Sequence, residues 1–247
     1  MSSDLNLETK KFPVYEDILR SREVLKSFVG KTPLYKSNTF SKIIGTNVFL
    51  KNEALQKTGS FKVRGALYKI QSLSEEEIKY GIIAASAGNH AQGVAYAAGI
   101  RNVPCTIVMP INASPAKIAA TRSYNAQVIL RGSDYDVAWI IAKEMARKEN
   151  KTIIHAFDDP KVIAGQGSIG LELMEDLPDL DEVYLPVGGG GLAGGVAIAI
   201  KEKKRNVRII GVESKAFPAM KESLEKGSIQ TKKGEFSIAD GIAVKSP

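Results

Sequence analysis

The sequence predicts an α/β protein built on mostly parallel β-sheets with helices packed on both faces. Short aliphatic and β-branched runs alternate with helical patterns from about residue 82 onward. The strand-like runs lead into helix-start signals, the connection that parallel strands require. In addition, 247 residues with 44% hydrophobic content suffice for a sizeable core, and no linker, repeat or low-complexity segment interrupts the alternation.

Residues 13–30 predict an N-terminal helix with Ile18, Leu19, Val24 and Leu25 as its apolar positions, broken by Thr32-Pro33-Leu34. Asn47 to Glu53 predicts a strand. Ser74 and Glu77 form a capping box, with Leu73 and Ile78 as a hydrophobic staple. A strand over 82–86 and a small-residue helix follow. The strand at 105–110 runs into Ser114-Pro115, an N-cap with proline at the first helical position. After strand 126–131, Ser133 is the expected N-cap, and Val137, Ile140, Ile141 and Met145 share one helical face. Strand 152–157, a helix near 161–176, strand 182–187, a glycine loop with its helix, and strand 207–213 complete the series.

Composition excludes several function classes. The 34 Lys+Arg against 27 Asp+Glu give a formal charge of +7. The densest cluster, Lys201, Lys203, Lys204 and Arg205, ends a predicted helix, where cations suit the dipole. No aromatic residues interleave with it as stacking platforms, so no nucleic-acid partner is expected. The single cysteine, Cys105, precludes an internal disulfide framework and fits a reducing, cytoplasmic compartment. Its strand-like flank predicts a packed thiol. No apolar stretch is long enough to span a bilayer, so no membrane partner is expected.

Chemistry concentrates in three loops, each between a strand and a helix. In Thr58-Gly59-Ser60-Phe61-Lys62-Val63-Arg64-Gly65-Ala66, Lys62 falls at the first turn of a helix. The positive end of the helix dipole there favours the neutral amine, the form that attacks carbonyls. Ser86-Ala87-Gly88-Asn89-His90 opens a second helix and offers free backbone N–H groups to an anion. Gly188-Gly189-Gly190-Gly191-Leu192 opens a third, and four consecutive glycines suit a backbone wrapped around a phosphate. Ligand loops at the carboxyl ends of strands are where such folds bind small molecules.

The third loop admits a reading of a different class. Gly189, Gly191 and Gly194 match the dinucleotide fingerprint, and Glu213 ends the next strand where a ribose-binding acid is expected. That NAD-binding reading leaves the Lys62 and Asn89 loops without a purpose.

The three loops together resemble the fold-type II pyridoxal-phosphate enzymes, and within them the threonine dehydratases (threonine ammonia-lyases). The matching stretches are KNEALQKTGSFKVRGA at 51–66, SAGNHAQGVAYAA at 86–98, HAFDDPKVIAGQGSIGLE at 155–172, PVGGGGLAGG at 186–195, GVES at 211–214 and IADGIAVKSP at 238–247. The resemblance implies two open, twisted, mostly parallel sheets. A large cofactor-binding domain would comprise 1–77 and 158–247, and a small domain 78–157. Pyridoxal 5′-phosphate would be bound covalently by Lys62, flanked by Phe61, hydrogen-bonded through Asn89, and held at its phosphate by Gly188, Gly189, Gly190, Gly191 and Leu192. Ser86, Ala87, Gly88 and His90 would contact the substrate, a small amino acid. A homo-oligomer, dimer or tetramer, and a place in isoleucine biosynthesis are further implications.

Departures from the family pattern narrow the activity. Threonine synthases carry Asp where Val63 stands. Serine racemases carry a serine at Ala87 as the opposite-face base, so elimination is expected over racemisation. Glu213 would be a metal ligand in the racemase pattern, but its second carboxylate is replaced by Ala219, so no metal site is expected. His90 has either a positioning or a structural role, and His155, in the predicted strand, is expected to be packed. Family members continue past the position of Pro247 into strands and helices that include the hydroxyl or thiol partner of the pyridine nitrogen. Residues 1–247 are therefore expected to be C-terminally incomplete, with weak turnover by themselves.

Overall fold

The structure, a computed structural model, describes residues 12–232, 234 and 237–247. In chain order the elements are α1 (Tyr15–Leu25), β1 (Leu34–Lys36), α2 (Asn38–Ile44), β2 (Phe49–Lys51), α3 (Lys62–Gln71), α4 (Glu75–Ile78), β3 (Ile82–Ala85), α5 (Asn89–Arg101) and β4 (Cys105–Met109). They continue with α6 (Pro115–Arg122), β5 (Gln127–Leu130), α7 (Tyr135–Glu149), β6 (Thr152–Ile153), α8 (Pro160–Asp176), β7 (Glu182–Pro186), α9 (Gly191–Lys203), β8 (Arg208–Val212) and α10 (Ala219–Lys226).

Strands β5-β4-β3-β6 form an all-parallel sheet, and β7 pairs with β8, also in parallel. The central strands β3 and β4 are buried on both faces, as strands of parallel sheets are. Ile82, Ala84, Cys105, Ile107 and Met109 face a core shared with α3 and α5, while Ile83, Ala85 and Val108 face Ala138, Ala142 and Ala146 of α7. Strand order runs outward from β3 through β4 to β5, then reverses, because β6 returns to the other side of β3. The carboxyl ends of β3 and β6 therefore flank a topological switch point, the crevice in which such sheets hold ligands.

Close backbone approaches join α3 to its neighbours. A side chain at Gly93 of α5 would come within 3.2 Å of the Lys62–Val63 peptide, and one at Gly165 of α8 within 2.6 Å of Gly65 Cα. At Gly165 only glycine permits the helices to cross at that distance, and at Gly93 a side chain would press on the Lys62–Val63 peptide.

Several sequence expectations are corrected. The strand expected over 47–53 is confined to Phe49–Lys51 and pairs antiparallel with β1, a strand that starts at the last residue of the helix breaker. The first helix is shorter than 13–30 and buries Ile18, Ser21 and Leu25, leaving Leu19 and Val24 exposed. Asp134, not Ser133, caps α7, accepting from Val137 N at 3.1 Å. The stripe facing the sheet from α7 is Ala138, Ala142 and Ala146; Ile141 and Met145 flank it, and Val137 and Ile140 face out. Small residues let that helix lie close to the sheet, which bulky side chains would prevent. The strand read at 152–157 ends at Ile153, so His155 lies beyond it. The capping box at Ser74 and Glu77 and the Ser114-Pro115 helix start stand as expected, although Ser114 makes no side-chain cap bond.

Candidate functional site

Lys62 is the first residue of α3, and its backbone N–H reaches Ser60 Oγ at 3.4 Å. The turn is anchored from behind by Arg64, which is 1% exposed. Arg64 Nε and Nη2 donate to Glu53 (both 2.8 Å), Nη1 and Nη2 to Glu172 (2.6 and 3.0 Å), and Nη1 to Ser168 Oγ (3.1 Å). Every guanidinium donor is thereby used. Lys51 Nζ, 2.6 Å from Glu172, neutralises the second carboxylate, so two buried cations meet two carboxylates. The first turn of α3 is thus clamped to the segment that follows β2 and to α8.

The Lys62 side chain points away from that network. Its Nζ donates to Ala156 O at 2.7 Å and lies 5.5 Å from the centroid of the Phe61 ring. Burial without an acidic partner lowers its pKa from 10.5 to about 8. Desolvation disfavours the charged form of an amine. The depressed pKa expected from the helix dipole is therefore present, but its cause is burial.

The loop after β3 carries Ser86, Ala87, Gly88, Asn89 and His90. Ser86 Oγ accepts from Gly88 N at 3.2 Å, and α5 begins at Asn89. His90 is buried, and its Nε2 lies 3.1 Å from Ile154 O. A carbonyl can only accept, so Nε2 carries the proton and Nδ1 is a bare acceptor. That Nδ1 has no partner among the described residues. Burial, reinforced by the nearby Lys62 charge, pushes the His90 pKa down to about 3, so the ring is neutral.

The glycine loop follows β7. Gly190 has φ +84°, a left-handed conformation that suits glycine, and caps α9. Phe157 lies directly against Gly189 and Gly191, where a Cβ on either residue would overlap it. The first amides of α9 have no intrahelical acceptor, and Gly188 to Leu192 face the same cavity as Lys62. A Cβ at Gly188, Gly189, Gly190 or Gly191 would strike Val244, Phe157 or Met220, so bare backbone is required here, and its N–H groups fit a phosphate.

All the expected site residues meet in one cavity of about 570 Å³: Phe61, Lys62, Ser86, Ala87, Gly88, Asn89, His90, Gly188, Gly189, Gly190, Gly191 and Leu192 line it. Sequence reasoning missed the rest of its wall. Tyr135 lines the cavity from the start of α7, and burial raises its pKa to about 12. Gln166 of α8 also lines it, with Oε1 accepting from Gly65 N at 3.2 Å. Residues 240–246 close another side, tied across the cavity by Lys117–Asp240 and by Lys245 to Asp134 (3.2 Å) and Asp136 (3.4 Å). The stretches 155–172 and 238–247 were recognised as family-like without roles, whereas nothing in the sequence marks Lys117 or Tyr135.

Glu213 is not free to meet a ribose. Its carboxylate accepts from Met220 N (2.9 Å) and Lys221 N (2.8 Å), capping α10. Gly194 lies inside α9, outside the cavity lining. Cys105 is packed, and burial raises its pKa to about 12. Among the described residues no helix is long and apolar enough to cross a membrane.

Known proteins resemble this chain in sequence and in fold. The chain is 52% identical over 232 residues to an L-threonine ammonia-lyase of Thermotoga maritima, covering 94% of this chain and 58% of the relative. It is 43% identical to the catabolic L-threonine dehydratase of Escherichia coli K12, covering 94% of this chain and 70% of that protein. Among solved structures, the processed threonine deaminase isoform 2 of Solanum lycopersicum superposes with a TM-score of 0.90 at 41% identity, over 94% of this chain and 63% of that one. Maize serine racemase also gives 0.90, at 31% identity, over 95% and 73%. The chain spans well under two thirds of the length of the Thermotoga relative. The profile of the pyridoxal-phosphate dependent enzymes matches residues 25–247, and this chain belongs to that family.

Proposed function

We propose that the protein is an ammonia-lyase that removes water across the α and β carbons of L-threonine, and of L-serine. The products are 2-oxobutanoate or pyruvate, with ammonia. The observation that carries this reading is the convergence of Lys62, Asn89 and the glycine loop on one cavity, with the Lys62 amine held near pKa 8. Relatives named as threonine ammonia-lyases and dehydratases support it.

Bound pyridoxal phosphate supplies an electron sink for the substrate α-carbon. Lys62 would hold the group covalently and, once released by the substrate amine, take the α-proton. A pKa near 8 makes it an effective base close to neutral pH. Phe61 would flank the ring, Asn89 would hydrogen-bond the ring oxygen, and Gly188 to Leu192 would receive the phosphate. The N–H groups of Ser86 to His90 would orient the substrate carboxylate. Ala87 offers no hydroxyl to the opposite face, which favours elimination over racemisation. We also assign 78–157, which contains the four-stranded sheet, to the small domain, and 1–77 with 158–247 to the large one. The protein is proposed to act in the cytoplasm as a homo-oligomer.

Lys62→Ala should abolish both the yellow colour of the loaded protein and ammonia release. A wild-type protein that stays colourless and cannot be loaded with pyridoxal phosphate would sink the reading. Chiral analysis should find D-serine formed far more slowly than 2-oxo acid; equal rates would favour the racemase instead.

A further inference from the structure

The backbone after β6 meets the site through two carbonyls, on the opposite side of the switch point from the Ser86–His90 loop. Ile154 O binds His90 Nε2 at 3.1 Å, and Ala156 O accepts from Lys62 Nζ at 2.7 Å. Between them stands His155. Its Nδ1 accepts from Phe157 N at 3.3 Å and from Asp158 N at 2.8 Å. Its ring packs edge-to-face between Trp139 of α7 (4.9 Å between centroids) and Phe157 (4.8 Å). Accepting two N–H groups requires an unprotonated Nδ1.

The Ala156 carbonyl and the Phe157 N–H belong to one planar, trans peptide and so point in opposite directions. A side chain that holds the N–H on one side aims the carbonyl to the other. That other side is where the Lys62 amine lies. We propose that His155 is a positioning residue, which by accepting the Phe157 and Asp158 amides turns the Ala156 carbonyl onto Lys62 Nζ and sets where the free amine stands. Phe157 extends the linkage, since it lies against Gly189 and Gly191. A turn of this peptide would therefore disturb the amine and the glycine loop together. The catalytic meaning of the proposal rests on the lyase reading above; its geometry concerns the free amine alone.

The test measures the free Lys62 amine in the cofactor-free chain. Acetic anhydride labelling across a pH series, with the Lys62 peptide quantified by mass spectrometry, gives its ionisation midpoint. The wild type should titrate near 8. His155→Phe keeps an aromatic ring between Trp139 and Phe157 but lacks the acceptor. Losing the carbonyl removes a hydrogen bond that favours the ammonium, so the midpoint should fall by about 1 pH unit. His155→Asn restores an acceptor suited to amides two and three residues on, and the midpoint should return to the wild-type value.

An unchanged midpoint in His155→Phe overturns the proposal. So does a rise toward 10.5, which would mean that water has replaced the carbonyl, or a failure of His155→Asn to restore the midpoint while folded. Should His155→Phe not fold, histidine 15N spectra of the wild type decide: Nδ1 of His155 must be unprotonated while Lys62 ionises, and a protonated Nδ1 there overturns the proposal. Failure of the lyase reading would look different. It would leave the wild type unable to take up pyridoxal phosphate, with the dependence of Lys62 on His155 intact.

Discussion

Replacing Arg64 with methionine should destabilise the protein by about 3–5 kcal/mol, because it strands buried charge. Arg64 is 1% exposed, and the Glu53 and Glu172 side chains are 12% and 8% exposed. In the wild type Lys51 and Arg64 balance Glu53 and Glu172. Methionine leaves Glu172 with Lys51 alone (2.6 Å) and Glu53 with the Thr32 hydroxyl (2.5 Å), and the cluster carries a net negative charge. Urea unfolding followed by circular dichroism at pH 7 measures the loss, which corresponds to a fall of roughly 10 °C in Tm for a chain of this size. Neutralising one stranded carboxylate, in Arg64→Met/Glu53→Gln, should recover part of it. A loss below about 1 kcal/mol with an unchanged m-value would refute the view that these carboxylates are charged and dry.

Burial also makes stability depend on pH through Lys62. Its folded pKa near 8 lies below the unfolded 10.5, so the unfolded chain binds the extra proton between those values and stability rises with pH across that window. Below pH 8 the charged amine costs about 3 kcal/mol, so cofactor-free Lys62→Met should be the more stable protein at pH 7, with the gap closing toward pH 10.5. A pH-independent gap in thermal melts would contradict this. Gly190→Val should weaken cofactor retention, since φ is +84° and a Cβ would lie 2.7 Å from Met220 Cε. Asn89→Ala removes one hydrogen bond, worth ~1 kcal/mol, and should shift the absorption spectrum more than retention. Equal loss of cofactor in both variants would contradict the assigned roles.

Local chemistry made much of this protein legible in its sequence. A capping box needs only Ser74 and Glu77, three positions apart, and the pair forms it. Strands β3, β4, β7 and β8 are short apolar runs followed by turns, and such runs announce themselves. The three loops were readable because free helix-start amides and a reactive lysine depend on neighbours within a few residues. Parallel topology puts the loops after β3 and β7 at carboxyl ends of strands, whereas the Lys62 loop follows the antiparallel β2 and reaches the cavity through the close packing of α3 on α5 and α8.

Tertiary structure decided what surrounds those residues. Lys62 owes its low pKa to burial and its orientation to a carbonyl 94 positions away, and Arg64 is satisfied by Glu172 at a separation of 108. The three alanines of α7 face the sheet in place of larger residues because the sheet approaches closely, which helical periodicity alone does not reveal. Glu213 directly follows its strand, close to where the dinucleotide pattern wants an acid, yet its oxygens are taken by the start of α10. Sequence determines the conformations that short segments prefer, since those depend on adjacent side chains. Desolvation, charge balance and the aim of a carbonyl depend on groups that only the folded chain brings within a few ångströms.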